Sequence, residues 1–368
     1  MNNVLRLIKL SASIAAISIS SIIAFIIVEY SYRQIKGTSS TNSYVNRTML
    51  FDLGNNFKNQ DGYFLYHPNE EIRSVTLYSK AQIDSIDDIV IEYDYLIKTN
   101  NAGLVMLNNL SLYESVFFIV GDSFTEGQGA SPWFYDFEAS INISGSKLVN
   151  LGILGTGPQQ WENLATAITK DFKLDVKGIV VNIIPADMVR SVWLFKEREL
   201  DCLYNSSCNY NFGFQGFDFN IYEDQKDIKL AVMERLVGSN YSNLDLYSLK
   251  QFLKKSLVIS DIYTYLIERL WDHQIRLNQN ALLALDKSVN GNLYVNVLSQ
   301  KNLNSSNFNE DYSARTLIGF LKKNNIDFKW CNIPSYGFHR YDSHPNSKGY
   351  RVVSRCTDEA LERVESVH

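Results

Sequence analysis

The fold predicted for this chain is α/β: a central parallel sheet with helices on both faces. Three observations predict it. Five short runs are almost wholly apolar: Ser115 to Val120 (SVFFIV), Leu148 to Leu151 (LVNL), Gly178 to Ile184 (GIVVNII), Leu293 to Leu298 (LYVNVL) and Ile326 to Cys331 (IDFKWC). Strands buried on both faces read this way, whereas half-exposed strands alternate. Helical spacing separates some of these runs, over Gln159 to Ile168 and over Ala314 to Lys323, and strands alternating with helices argue for parallel pairing. The chain has 368 residues, of which 45% are hydrophobic, enough for a sizeable core and too apolar for a disordered protein.

Other stretches frame this unit. Leu10 to Val28 carries no charged residue, and at about 1.5 Å per residue it spans roughly 28 Å, close to the hydrocarbon thickness of a bilayer. Arg6 and Lys9 precede it, which favours a cytoplasmic N-terminus. Val28-Glu29-Tyr30 does not resemble a cleavage site of small residues, so a retained anchor is preferred to a cleaved signal peptide, with a buried soluble helix as the main alternative. The expected organisation is a cytoplasmic tail at 1–9, a transmembrane signal anchor at 10–28, a polar linker at 29–48 and one domain at 49–368. Residues 49–110 contain alternating stretches that suggest strands, such as Ser74 to Tyr78 and Ile89 to Tyr95. Residues 195–290 fit no minimal α/β unit. They read as an insertion, with an aromatic, Asn-rich loop (Asn205 to Tyr222) followed by helical segments (Tyr247 to Leu257, Ile262 to Trp271).

With the N-terminus inside, everything after the anchor lies outside the cytoplasm, periplasmic or extracellular. Beyond residue 36 the chain carries 31 basic and 39 acidic residues with no long Lys/Arg cluster, which excludes nucleic acid as a partner and disfavours anionic lipid surfaces. All four cysteines, Cys202, Cys208, Cys331 and Cys356, fall in this exported part. Two disulfides suit an oxidising compartment; four cysteines allow three pairings, and four free thiols are the competing state.

The chemistry gathers at three places. Directly after the SVFFIV run comes Gly121-Asp122-Ser123-Phe124-Thr125-Glu126-Gly127. A serine at the carboxyl end of a buried strand presents its hydroxyl at the sheet crevice, although strand-to-helix turns also favour serine for capping alone. A serine nucleophile needs a base. Tyr341-Asp342-Ser343-His344-Pro345-Asn346 supplies a histidine, with Asp342 placed to hold its tautomer. His67, His273, His339 and His368 lack such a context. The third place is Asn150-Leu151-Gly152-Ile153-Leu154-Gly155-Thr156-Gly157, whose glycines free backbone N–H groups for an oxyanion or simply make a tight turn. No spacing fits a zinc site or a nucleotide-binding glycine loop, and serine acyl transfer needs no cofactor.

In this order, these three blocks resemble the SGNH hydrolase superfamily, also called the GDSL esterases, over about residues 90–365. The resemblance implies a three-layer α/β/α, flavodoxin-like fold. It also implies a catalytic Ser123, His344 and Asp342, and an oxyanion held by the N–H groups of Ser123 and Gly155. Two departures stand out. Members usually carry an asparagine just before an aspartate after the third strand, as a further oxyanion donor; here Ile184-Pro185-Ala186-Asp187 places Ala186 there, with Asn182 four residues earlier as a candidate substitute. The acid lies two residues before the histidine rather than three, a spacing seen in some membrane-associated members that act on glycans.

The expected function is therefore an extracytoplasmic serine esterase that cleaves O-acyl or O-acetyl esters, with an acylated glycan or other small ester as substrate. The alternatives are an O-acyltransferase modifying a cell-surface polysaccharide, and a degenerate glycan-binding or envelope-assembly protein, for which Ala186 is the motive.

Overall fold

In the computed structural model, the structure describes residues 44–366 apart from 81–82, 142, 144, 206–213 and 240–256. The proposed anchor at 10–28 lies outside the described residues. Among those that are described, no helix is long and apolar enough to cross a membrane. Two compact units divide the chain, one of residues 44–237 and 271–368, and one of residues 1–43 and 238–270. Apart from part of one long helix and the end of another, the second falls outside the described residues.

In chain order the larger unit begins with β1 (Tyr44–Asp52), the hairpin of β2 (Phe57–Gln60) and β3 (Tyr63–Tyr66), β4 (Glu71–Lys80) and β5 (Ile89–Lys98). Next come β6 (Ser115–Gly121), the single turn α1 (Ser123–Glu126), α2 (Trp133–Ser140), β7 (Lys147–Gly152), α3 (Pro158–Phe172) and β8 (Asp175–Ile183). They are followed by α4 (Glu197–Tyr204), β9 (Phe214–Phe217), α5 (Gln225–Ser239), and α6 (Leu257–Ser288), of which residues 271–288 belong to the larger unit. The chain closes with β10 (Leu293–Leu298), α7 (Tyr312–Lys323), β11 (Asp327–Cys331) and α8 (Ser347–Glu365).

The central sheet runs β7-β6-β8-β10-β11, and every neighbouring pair is parallel. In order of appearance this is the 2-1-3-4-5 arrangement of flavodoxin-like folds. Right-handed crossovers place α2 on one face, because the chain steps outward from β6 to β7. They place α3, α6 and α7 on the other, because the chain then steps the opposite way. Helix α8 packs on β8 and β10 and against α2, closing the first face. The central position of β6 explains its composition: Val116 to Val120 are all buried. Helix α3 starts on Pro158, whose ring suits the first helical position, and buries Trp161, Leu164, Ala165 and Ile168; Lys173 ends it in the left-handed conformation at φ 51°.

The alternating stretches before residue 110 build a second sheet, ordered β5-β4-β1-β9. One boundary differs from expectation. Strand β1 starts at Tyr44, inside the stretch assigned to a linker, because antiparallel pairing with β4 begins there. The insertion also contributes to the fold rather than merely decorating it: β9 pairs parallel with β1 from Met49 to Asp52.

Cys331 and Cys356 form a disulfide joining the end of β11 to α8. Cys202 is disulfide-bonded as well, and Cys208 lies outside the described residues.

Candidate active site

Strand order reverses at β6, which has β7 on one side and β8 on the other, and α/β sheets open a crevice at the carboxyl ends of the strands where this happens. Ser123 follows β6 at that place. Asp122 caps the turn, its Oδ1 accepting from the Phe124 N–H at 2.9 Å. Gly121 admits no side chain, since an added Cβ would lie 2.0 Å from Thr125 Oγ1 and 2.5 Å from the Asn182 carbonyl. The serine is thus carried by backbone packed too closely for any other residue at position 121.

His344 arrives from the turn between β11 and α8. Asn346 caps α8 by accepting from the N–H groups of Lys348 and Gly349, and its Nδ2 donates to the carbonyls of Tyr336 and Phe338. Lys301 Nζ donates to the carbonyls of His339, Arg340 and Asp342, which fixes the loop from outside. In the resulting chain, Ser123 Oγ lies 2.9 Å from His344 Nε2 and His344 Nδ1 lies 2.6 Å from Asp342 Oδ1. Ser123 and Asp342 are buried, at 3% and 4% exposure.

Asp342 has partners that its sequence neighbourhood does not reveal. Tyr93 OH donates to its Oδ2 at 2.8 Å, and Arg47 Nη2 stands 3.2 Å from the same oxygen. Gln128 Nε2 donates to Tyr93 OH at 2.7 Å. Burial alone would raise the Asp342 pKa; His344, Arg47 and Tyr93 outweigh it and hold the carboxyl well below the usual carboxylate range. His339, set aside in the sequence, packs its ring 4.9 Å from that of Tyr93 and lies 2.6 Å from the Gly129 carbonyl through Nε2. Burial pushes its pKa down.

The glycine-bearing loop after β7 lies beside the serine turn, with the Ile153 N–H donating to the Gly121 carbonyl at 3.2 Å. Gly155 has φ 71°, and Trp193 Nε1 donates to its carbonyl at 2.8 Å. Among the described residues, neither the Ser123 nor the Gly155 N–H donates to a protein acceptor. Both are free for a ligand oxygen.

Asn182 does not join them. Its Nδ2 donates to Thr357 Oγ1 at 3.1 Å, and its Oδ1 accepts from Asn296 Nδ2 at 2.9 Å. The side chain is spent beneath α8, so it is corrected here from oxyanion donor to sheet–helix tie. Nearer the serine stands a residue the sequence did not single out. Arg190 Nη1 donates to Asp122 Oδ2 and to the Thr156 carbonyl, both at 2.9 Å, and lies 3.0 Å from Asp187 Oδ1. The only local signal for it is a basic residue in the loop after the third strand, four positions beyond Ala186. Beneath the loop, Glu126 is buried between Tyr66 OH and the Leu154 N–H, and burial lifts its pKa to about 8.

The strand order and the meeting of Ser123, His344 and Asp342 are those the SGNH resemblance implies, whereas the asparagine donor after the third strand is missing. No family model and no curated protein matches it. Among solved structures, a catalytic mutant of an acetylxylan esterase from Geobacillus stearothermophilus is 14% identical, with 69% of this chain and 95% of that one covered and a TM-score of 0.34. A member of the lipolytic protein G-D-S-L family from Veillonella parvula is 12% identical, over 68% and 99%, with a TM-score of 0.31. A carbohydrate acetylesterase family member from Sinorhizobium meliloti is 9% identical, over 68% and 99%, with a TM-score of 0.32. Likenesses this shallow transfer neither a residue role nor a substrate.

Proposed function

We propose that the protein is a serine esterase acting outside the cytoplasm, anchored by residues 10–28 and cleaving O-acyl esters, acetyl esters foremost. The observation that carries this reading is the hydrogen-bonded sequence Ser123 Oγ, His344 Nε2, His344 Nδ1, Asp342 Oδ1 at the switch point of a parallel sheet. Ser123 Oγ attacks the ester carbonyl carbon, the π pair moves onto oxygen, and His344 Nε2 takes the hydroxyl proton. Asp342 accepts from Nδ1–H, leaving Nε2 as the base and stabilising the imidazolium that forms. The N–H groups of Ser123 and Gly155 hold the oxyanion. Collapse expels the alkoxide, which takes the proton from His344, and water then repeats the sequence on the acyl-enzyme.

Two further observations support the location and the substrate class. The bonded cysteines suit an oxidising compartment. A cavity of about 370 Å³ beside Ser343, lined by Gln300, Asn302, Asn307, Glu310 and Asp311, offers polar partners to a hydroxyl-rich leaving group such as a glycan.

The test is hydrolysis of a small aryl acetate and labelling by a fluorophosphonate probe, on full-length protein beside Ser123→Ala. Wild type is expected to do both and the variant neither. A folded wild type that does neither refutes the esterase reading, and the appearance of acylated glycan in place of free acetate when a glycan is added would assign transfer instead.

A further inference from the structure

The position at which SGNH hydrolases carry their third oxyanion donor is Ala186, and Asn182 is occupied elsewhere. A serine esterase that keeps only two backbone donors forgoes a group typically worth about 10²–10³ in rate. We propose that Arg190 replaces it: its guanidinium, held between Asp122 and Thr156, donates to the ester oxyanion formed at Ser123. The inference rests on the esterase reading above and deepens it.

Placement is the first argument. Nη1 bonds Asp122 Oδ2, and that same oxygen is 3.4 Å from Ser123 Oγ. Nη1 also bonds the carbonyl of Thr156, the residue next to Gly155. The guanidinium therefore touches both flanks of the oxyanion site, the serine turn and the glycine loop.

Availability is the second. Nη1 donates to Asp122 Oδ2 and to the Thr156 carbonyl and stands 3.0 Å from Asp187 Oδ1 without a hydrogen bond to it, whereas among the described residues no protein group accepts from Nε or Nη2. The side chain is 26% exposed, so this unused edge is within reach of a ligand. A planar fork with one edge anchored and the other free is pre-organised for an incoming oxygen, with little reorganisation left for the moment of reaction.

The third argument is how firmly the residue is held. Its backbone carbonyl accepts from Gln274 Nε2 and Asn278 Nδ2 of α6, both at 2.8 Å. Three residues on, Trp193 donates to the Gly155 carbonyl and exchanges hydrogen bonds with Gln160. The 190–193 segment thus braces the glycine loop and the guanidinium together.

Charge completes the case. Asp122 and Asp187 are fully buried, and each brings a carboxyl oxygen to within 3.0 Å of Arg190 Nη1. Burial, and Asp122 nearby, raise the Asp187 pKa against the opposing pull of Arg190. The guanidinium is thus the positive group that faces both carboxyls beside Ser123. In the chemical step, electrons flow from Ser123 Oγ to the carbonyl carbon and from the C=O bond to the oxygen. Arg190 keeps its protons throughout and acts by hydrogen bonding alone.

The experiment measures kcat and KM for a small aryl acetate, with thermal melting, in wild type, Arg190→Gln, Ala186→Asn and the double variant. Arg190→Gln is expected to lower kcat by about 10²–10³ with little change in KM. Adding Ala186→Asn to it is expected to restore kcat at least about tenfold, because an asparagine at the usual place returns the missing donor. A purely structural arginine would not be rescued by that second change. A kcat within a few-fold of wild type in folded Arg190→Gln overturns the proposal, as does a loss that Ala186→Asn leaves uncorrected. Should Arg190→Gln not fold, Arg190→Lys carries the same readings, since it keeps the charge between the aspartates and loses the second donor edge. A wild type whose Ser123 neither turns over ester nor takes the fluorophosphonate overturns the esterase reading and this inference with it; a reactive wild type with an indifferent Arg190 overturns this inference alone.

Discussion

Arg47 Nη2 lies 3.2 Å from Asp342 Oδ2, so the first strand of the outer sheet braces the carboxylate that orients His344. The same Nη2 donates to Tyr93 OH at 2.9 Å, and Tyr93 donates onward to Asp342. Both carboxylate oxygens are therefore engaged, one by the histidine and one by the outer sheet. Arg47→Gln is expected to lower kcat by about tenfold, the worth of one hydrogen bond to a charged group. The pH dependence follows from the depressed Asp342 pKa. That carboxyl stabilises the fold above the ordinary carboxylate pKa, and the contribution fades as pH falls toward the lower folded value. Removing Arg47 makes the depression smaller, so the acid-unfolding midpoint of Arg47→Gln should sit at higher pH than that of wild type. An unchanged kcat and midpoint would show that Tyr93 and His344 suffice.

Glu126 makes the opposite prediction at the other end of the pH scale. Its carboxyl is fully enclosed, with Tyr66 OH and the Leu154 N–H as partners, and burial raises its pKa to about 8. A carboxyl raised in the folded state favours folding when protonated. The stabilisation is whole below the unfolded pKa and is lost as pH rises through the folded one. Between those limits the native state holds one more proton than the unfolded chain, and stability falls by about 1.4 kcal/mol per pH unit. Glu126→Gln imitates the protonated form, with its amide oxygen accepting from Leu154 and its amide nitrogen donating to Tyr66. Urea melts across pH 5 to 8 should lose stability less steeply in this variant than in wild type. Parallel slopes would mean that Glu126 is ionised throughout and that burial has not shifted it.

These examples mark where sequence reading succeeds and where it stops. Strand β10 coincides with the apolar run Leu293 to Leu298, and β6 departs from its run by one residue, because a strand covered on both faces leaves a local signature; β11, an edge strand only partly buried, also departs by one residue. Ser123 sits in a short motif at a strand end and Asp342 and His344 in one just before α8, and such motifs are equally local. Arg47, Tyr93 and Arg190 have no signature of that kind. Each is a lone polar residue whose role depends on a partner brought close only by tertiary folding. The polarity of Tyr44 to Thr48 suggested a tether, yet that segment is a strand whose Arg47 serves the site. Asn182 failed for a related reason. Distance along the chain placed it near the oxyanion donors, but its direction from the strand takes it under α8, where Thr357 and Asn296 hold it.

Gly155 separates two reasons for which a glycine is needed. Its φ of 71° is a conformation that side chains with a Cβ rarely adopt, and an added Cβ would lie 3.0 Å from Trp193 Cζ2. Gly291 has a similar φ of 83° but nothing within 4 Å of an added Cβ, and it lies between α6 and β10, at the amino end of the central strands. Gly291→Ala therefore carries the backbone cost alone, about 1 kcal/mol, and should lower melting temperature while sparing kcat. Gly155→Ala carries that cost and also displaces either Trp193 or the loop that aims the Gly155 N–H at the oxyanion. Its kcat should fall by about 10-fold or more through loss of an oxyanion donor, with fluorophosphonate labelling of Ser123 slowed in proportion. Measured side by side, the two variants should share a loss of stability and part company in rate. If both lose rate equally, the effect of Gly155→Ala is general destabilisation; if neither does, the Gly155 N–H takes no part in holding the oxyanion.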